Sequence, residues 1–159
     1  MLEVAGERLQ AGGMQNGRLT VAYHRSLPAA SRSFDLAFSG WSIAYLVSWS
    51  HSPAWQAELD KALSEMKRVL RPGGTIVLLE TLGTGFESPH PPEMLLEYFH
   101  ALEAAGFEKR WIRTDYRFDT LQEAQELAQF FFGDELVEQV IQKEWLILPE
   151  CTGIWWKRV

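Results

Sequence analysis

Polar side chains that can do chemistry stand where this chain's short apolar runs give out: Tyr23-His24, then Ser39-Gly40-Trp41-Ser42 with Tyr45 and His51 beyond, then Glu80-Thr81. An imidazole such as His51 changes charge near neutral pH and can act as a general base, although a lone histidine is more often structural. A carboxylate such as Glu80 can hold the hydroxyl or amine of a bound molecule, or simply be solvated. Glycine at position 40 lets backbone approach a ligand closely. Tyr23 and His24 read equally well as an exposed loop. His90 lies in a proline-rich loop that can fold over a pocket. Trp145, Trp155 and Trp156 read as sheet core, with a pocket wall as the alternative. Cys151 has no cationic neighbour to lower its pKa and reads as inert.

The elements that must position these groups follow from periodicity. Apolar residues at helical spacing place a helix over residues 1–10, closed by Gly12-Gly13. Residues 18–23 carry β-branched Thr20 and Val21 and follow Asn16-Gly17, which predicts a strand. Residues 34–39 form a more continuously apolar run, as in a strand covered on both faces. Trp55, Leu59, Leu63, Met66 and Leu70 step by three or four, which is an amphipathic helix, and Arg71-Pro72-Gly73-Gly74 stops it. Residues 75–80 are the clearest strand. Helices are predicted over 92–105, 121–132 and 134–142, a strand over 110–117, and a strand pair or bulged strand over 145–156. Strands alternating with helices predict one α/β domain over residues 1–159, built on a mainly parallel sheet. Ligands of such sheets bind beyond the carboxyl ends of the strands, where Tyr23, Ser39 and Glu80 stand.

Composition narrows the partners. The chain has 159 residues, 47% hydrophobic and 13% aromatic, with seven tryptophans, which describes a core-rich globular domain. A net charge of -6 without a Lys/Arg block argues against nucleic acid. Lys67, Arg68 and Arg71 suit a helix C-terminus. One cysteine allows neither a disulfide nor a thiolate metal site within the chain. No signal-like segment and no apolar run of roughly 20 residues occurs, so membrane partners are not expected and a cytoplasmic location is. Thr81-Leu82-Gly83-Thr84-Gly85 mimics a phosphate-binding glycine loop, but Pro89, Pro91 and Pro92 precede any helix, so an ordinary loop beside a pocket is the better reading.

In order, Met-Leu-x-x-Ala-x-x-Arg-Leu (Met1 to Leu9), the 18–23 segment with Ser26-Leu27-Pro28, Ser33-Phe34-Asp35-Leu36-Ala37, Leu70-Arg71-Pro72-Gly73-Gly74 and the 75–80 strand resemble small-molecule methyltransferases of the ubiquinone- and menaquinone-biosynthesis type. The resemblance implies a Rossmann-like fold with an antiparallel C-terminal strand, S-adenosylmethionine as cofactor and a small-molecule methyl acceptor. It places Tyr23, His24, Ser39, Gly40 and Trp41 at the cofactor. It places Ser42, Tyr45, His51, Glu80 and Thr81 on the acceptor side, with His51 the candidate base. The family's glycine loop and ribose-holding acid precede the helix matching Met1 to Leu9 and would lie before Met1. The family also commonly has Asp where this chain has Tyr23. These departures imply a truncated member, impaired as this chain alone. The alternative is a catalytically silent remnant serving oligomerisation or partner binding. Without the family's central first strand, the 34–39 strand has a free apolar edge. Either two copies pair through that edge, or residues 18–23 pair with it directly.

Overall fold

The computed structural model describes residues 2–48 and 54–159, save the side chain of Ser48. Its elements run α1 (Leu2–Ala11), β1 (Phe34–Gly40), α2 (Tyr45–Ser48), α3 (Trp55–Val69) and β2 (Leu70–Thr84). A 3₁₀ turn (Glu93–Leu95), α4 (Leu96–Ala104), β3 (Glu108–Arg113) and β4 (Tyr116–Arg117) follow. The chain closes with α5 (Leu121–Phe132), α6 (Asp134–Gln142), β5 (Ile147–Leu148) and β6 (Glu150–Arg158). Among the described residues, no helix is long and apolar enough to cross a membrane.

The main sheet has the order β1-β2-β6-β3. β1 and β2 pair in parallel, and β6 runs antiparallel to both β2 and β3. Three strands therefore point one way and the C-terminal strand runs against them, in line with the expected α/β arrangement. Register assigns the two faces. Ala37 pairs with Ile76, and Leu78 with Trp155; these four are buried together. Against them pack Leu59, Ala62 and Met66 of α3, and Tyr98, Phe99 and Leu102 of α4. Phe99 stacks on Trp155 at 4.6 Å between ring centroids. The opposite face is barely covered. Leu36 and Phe38 are 55% and 58% exposed, and Val77, Leu79, Ile154 and Trp156 are only half-buried. A smaller cluster joins the α5–α6 hairpin through Ala124, Ala128, Leu136 and Val140 to Leu148 of β5. Gly133 splits that hairpin as its sequence predicts, with φ of +81°.

Residues 18–23 do not form the expected strand. Their only ladder contact is an isolated bridge between Tyr23 and Ser26, and Val21 and Tyr23 are 81% and 74% exposed. β-branched side chains favour a pleated surface, but a strand persists only against a partner. Nor does this segment pair with β1; the two line opposite sides of an open groove. Of the two arrangements expected for the free edge, direct pairing is absent. The β2 strand begins earlier than expected, at Leu70, because the Arg71-Pro72-Gly73-Gly74 turn is absorbed as an irregularity in its register with β1.

Gly153 marks the tightest packing in the sheet. A Cβ there would collide with the buried Trp155 ring and come within 3.0 Å of Leu82. Overpacking of this kind costs about 1–3 kcal/mol. Gly153→Ala is expected to lose that much in urea denaturation; unchanged stability would mean that the indole has room to move.

Candidate active site

Two cavities open beside the carboxyl end of β1, and the turn Gly40-Trp41-Ser42 divides them. The first, a groove of about 1160 Å³, runs along the free edge of β1 and is walled by Leu19, Ala22, His24, Leu36, Ser39, Gly40 and Ser42 among others. His24 Nε2 and Ser42 Oγ are hydrogen-bonded at 2.7 Å, joining the two sides. Ser39 Oγ is buried without a hydrogen-bond partner. A buried, unpaired hydroxyl is costly, so it marks a place where a ligand atom would be welcome.

The loop that carries His24 is anchored to α3. Glu65 accepts from Arg68 through both carboxylate oxygens, at 2.7 and 2.9 Å, and from the Leu27 N–H at 2.9 Å. Arg68 also donates to the carbonyls of Leu27 and Ala29. The Arg68 guanidinium, with the Leu27 amide, holds the Glu65 carboxyl down at about 2. Arg25 adds an exposed pair with Glu58 at 2.7 Å, the kind of contact that contributes little.

The second cavity, about 770 Å³, lies on the other side of the turn. Trp41 and Tyr45 form one wall, Phe86 and His90 a second, and Tyr116, Phe131 and Phe132 a third. Trp41 adopts a left-handed φ of +46°, and its N–H is held by the Leu79 carbonyl at 2.8 Å. For a bulky residue this conformation costs about 1–2 kcal/mol, and it turns the indole away from the groove that Gly40 and Ser42 line. Phe86 stacks on His90 at 4.1 Å, and the His90 N–H closes the loop onto the Leu82 carbonyl. Gly83, at φ +124°, is required there because a Cβ would meet the His90 carbonyl at 2.6 Å. Gly83 and Thr84 are cavity wall, and no helix begins at these glycines.

Glu80 lies beneath the turn, 1% exposed, in the wall of neither cavity. Its Oε1 accepts from the Tyr98 hydroxyl at 2.9 Å and from the Ala44 N–H at 3.2 Å, which fixes the start of α2 over the end of β2. Burial pushes its carboxyl up to about 7, against the pull of these two donors.

The sequence candidates therefore separate. His24, Ser39, Gly40 and Ser42 meet in the first groove. Trp41, Tyr45, Thr81 and His90 meet in the second cavity. Tyr23 is exposed and lines neither, and His51 lies outside the described residues. Trp155 is buried core as expected, Trp145 packs on the smaller cluster, and Cys151 is buried, which raises its thiol pKa.

Residues 1–78 match the sequence pattern of the family described as methyltransferase domain. The match covers just under half of the chain. The chain is 28% identical over 85 residues to the uncharacterized protein YafE of Escherichia coli K12, and the match covers 54% of this chain and 36% of YafE. The chain thus spans about a third of that relative. Two solved structures share the fold. One is a SAM-dependent methyltransferase from Aquifex aeolicus, with TM-score 0.51 and 17% identity over 99% of this chain and 63% of that one. The other is the [4+2]-cyclase SpnF, with TM-score 0.52 and 20% identity over 98% and 62%. A cyclase on this fold shows that the fold alone does not set the reaction.

Sequence reasoning passed over Glu150, Phe86, Tyr116, Phe131 and Phe132, which line the second cavity. The run Phe130-Phe131-Phe132 was a signal, since three consecutive phenylalanines cannot all face the core of one helix. Glu150 at the head of a strand carrying Cys151, Ile154 and Trp155 was another.

Glu80 yields a test of the site's foundation. Its folded pKa, about 7, lies above the ordinary 4.5, so the folded state holds this proton more tightly than the unfolded chain. Stability from Glu80 is full below pH 4.5 and is lost as pH rises towards 7, by about 3 kcal/mol. Glu80→Gln keeps the acceptor for Tyr98 and Ala44 without the charge. Thermal unfolding from pH 4.5 to 8 is expected to show a steeper decline for the parent chain than for Glu80→Gln; parallel curves would place the titrating group elsewhere.

Proposed function

We propose that this domain is an S-adenosylmethionine-dependent methyltransferase for a small molecule, with the cofactor in the first groove and the acceptor in the second cavity. The observation that carries the reading is the unpaired Ser39 hydroxyl in a groove that also holds Gly40 and the His24–Ser42 pair. The groove's chemistry fits a nucleoside in part. Leu19, Ala22 and Leu36 offer apolar surface for a ring, and Ser39 and Ser42 offer hydroxyls. Its described wall holds no Asp or Glu to accept from ribose hydroxyls. The cofactor, when bound, supplies a methyl group on a sulfonium that leaves as a neutral thioether. What these residues do is hold and orient: Ser39 donates or accepts at its free Oγ, Gly40 allows close backbone approach, and His24 fixes Ser42. On this reading residues 1–159 bind the cofactor weakly by themselves, because the described wall of the groove offers neither an acid for the ribose nor a glycine loop at a helix start.

Calorimetric titration with S-adenosylhomocysteine tests this. A Kd of about 0.1–1 mM is expected, or about -5.5 to -4 kcal/mol, weakened several-fold in Ser39→Ala. No heat and no thermal shift at 5 mM would remove the cofactor from this chain.

A second reading is favoured by the uncovered sheet: a fold serving association between two copies through β1. The free edge of β1 offers unpaired backbone groups, and Leu36 and Phe38 beside it are exposed. Such an edge is a ready template for strand addition. Sedimentation equilibrium is expected to show a dimer that Leu36→Lys converts to monomer. A monomer at 100 μM in the parent chain would sink this reading.

A further inference from the structure

The second cavity contains a carboxylate that the fold leaves half-satisfied. Glu150 lines it and is 1% exposed. The register between β2 and β6 shifts after Thr81–Thr152, so that Glu150 comes opposite Thr84. An irregularity of this kind re-aims side chains at the end of a ladder. The Thr81 hydroxyl donates to Glu150 Oε1 at 2.8 Å, and the Asp115 carboxylate accepts from the Glu150 N–H at 3.1 Å. Glu150 Oε2 is buried with no hydrogen-bond partner. Burying such an atom costs free energy unless something is there to pair with it.

The rest of the wall says what that something is. Aromatic rings surround the space on three sides: Trp41, Phe86, Tyr116 and Phe132 lead them. Ring faces attract cations through their quadrupole, and most strongly where water is excluded. The described wall carries two carboxylates, Glu135 and Glu150, and no Lys or Arg. An anionic ligand would meet repulsion there, and a neutral one without an O–H or N–H donor would leave Glu150 Oε2 unpaired.

We propose that this cavity binds an organic cation, an amine or alkylated ammonium, with its nitrogen paired to Glu150 and its carbon groups against the aromatic walls. The proposal rests on the methyltransferase reading only in taking that amine as the methyl acceptor. Burial raises the proton affinity of Glu150, against the Thr84 and Thr81 hydroxyls that pull it back. A bound cation would offset that rise by favouring the carboxylate.

The test compares choline with 3,3-dimethylbutan-1-ol, which has the same shape without the charge. Calorimetry on the full chain is expected to show choline binding at least tenfold more tightly. Glu150→Gln, which keeps an acceptor for Thr81, is expected to erase most of that preference, and Phe86→Leu, on an exposed loop, to reduce choline binding several-fold. Equal affinity for the two probes would overturn the proposal, because a neutral acid or a plain apolar pocket would not distinguish them. So would a preference untouched in a folded Glu150→Gln. If that variant does not fold, the two-probe comparison and Phe86→Leu still decide. Choline preference without S-adenosylhomocysteine binding strikes the methyltransferase reading alone; the converse strikes this one alone.

Discussion

Strand β2 is hydrogen-bonded on both sides, to β1 in parallel and to β6 in antiparallel, and both cavities are placed relative to its carboxyl end. Its register with β1 sets Gly40 beside Leu79, so the turn that follows leaves the sheet level with Glu80. Its register with β6 sets Glu150 opposite Thr84. The face behind it is locked by Ile76 and Leu78 against Trp155 and the two covering helices. A slip of one residue in β2 would reverse every one of these side chains to the other face. The precision of the site is therefore inherited from the packing of one strand.

That strand's neighbourhood is lopsided. Helices α3 and α4 both cover the same face, and the other face keeps Leu36 and Phe38 in solvent. At roughly 25 cal/mol per Å² of apolar surface removed from water, covering a patch of large side chains is worth several kcal/mol. The first groove lies along this open side, with the 18–24 segment as its outer wall and no ladder hydrogen bond crossing it. Its outer wall is fixed from below, by the Glu65–Arg68 fork on α3, and not by the sheet. Ligand binding in the groove and association along β1 would thus draw on the same uncovered surface, and the two proposed readings compete for it.

Much of this was legible in the sequence because it rests on local rules. The 3.6-residue period found α3, α5 and α6, and Gly133 marked the break between them. What failed was the 18–23 strand. Its β-branched residues report what a strand prefers, but pairing depends on a neighbour distant in the chain, and none is present among the described residues. The site was half legible for the same reason. Residues at the ends of β1 and β2 announce themselves by following apolar runs. The aromatic wall comes from α5 and β4, and Glu150 from the head of β6, brought together only by tertiary packing. No spacing within one segment encodes that meeting.

Glu80 and Glu150 show how burial should be read. Both are 1% exposed, and burial raises the proton affinity of each. They differ in what surrounds the carboxylate. Glu80 accepts from Tyr98 and from the amide that begins α2, so its burial is compensated within the fold and it serves as a brace. Glu150 accepts from Thr81 on one oxygen, feels the pull of the Thr84 hydroxyl, makes no hydrogen bond through Oε2, and borders a cavity. A fold selected for stability alone would place an apolar side chain there, since replacing half-satisfied buried charge is often neutral or stabilising. Sequence alone singled out Glu80, the more prominent strand-end acid. The structure assigns the greater chemical interest to Glu150, because an unmet hydrogen bond in a cavity wall, and not burial as such, distinguishes a group kept for a ligand from one kept for the fold.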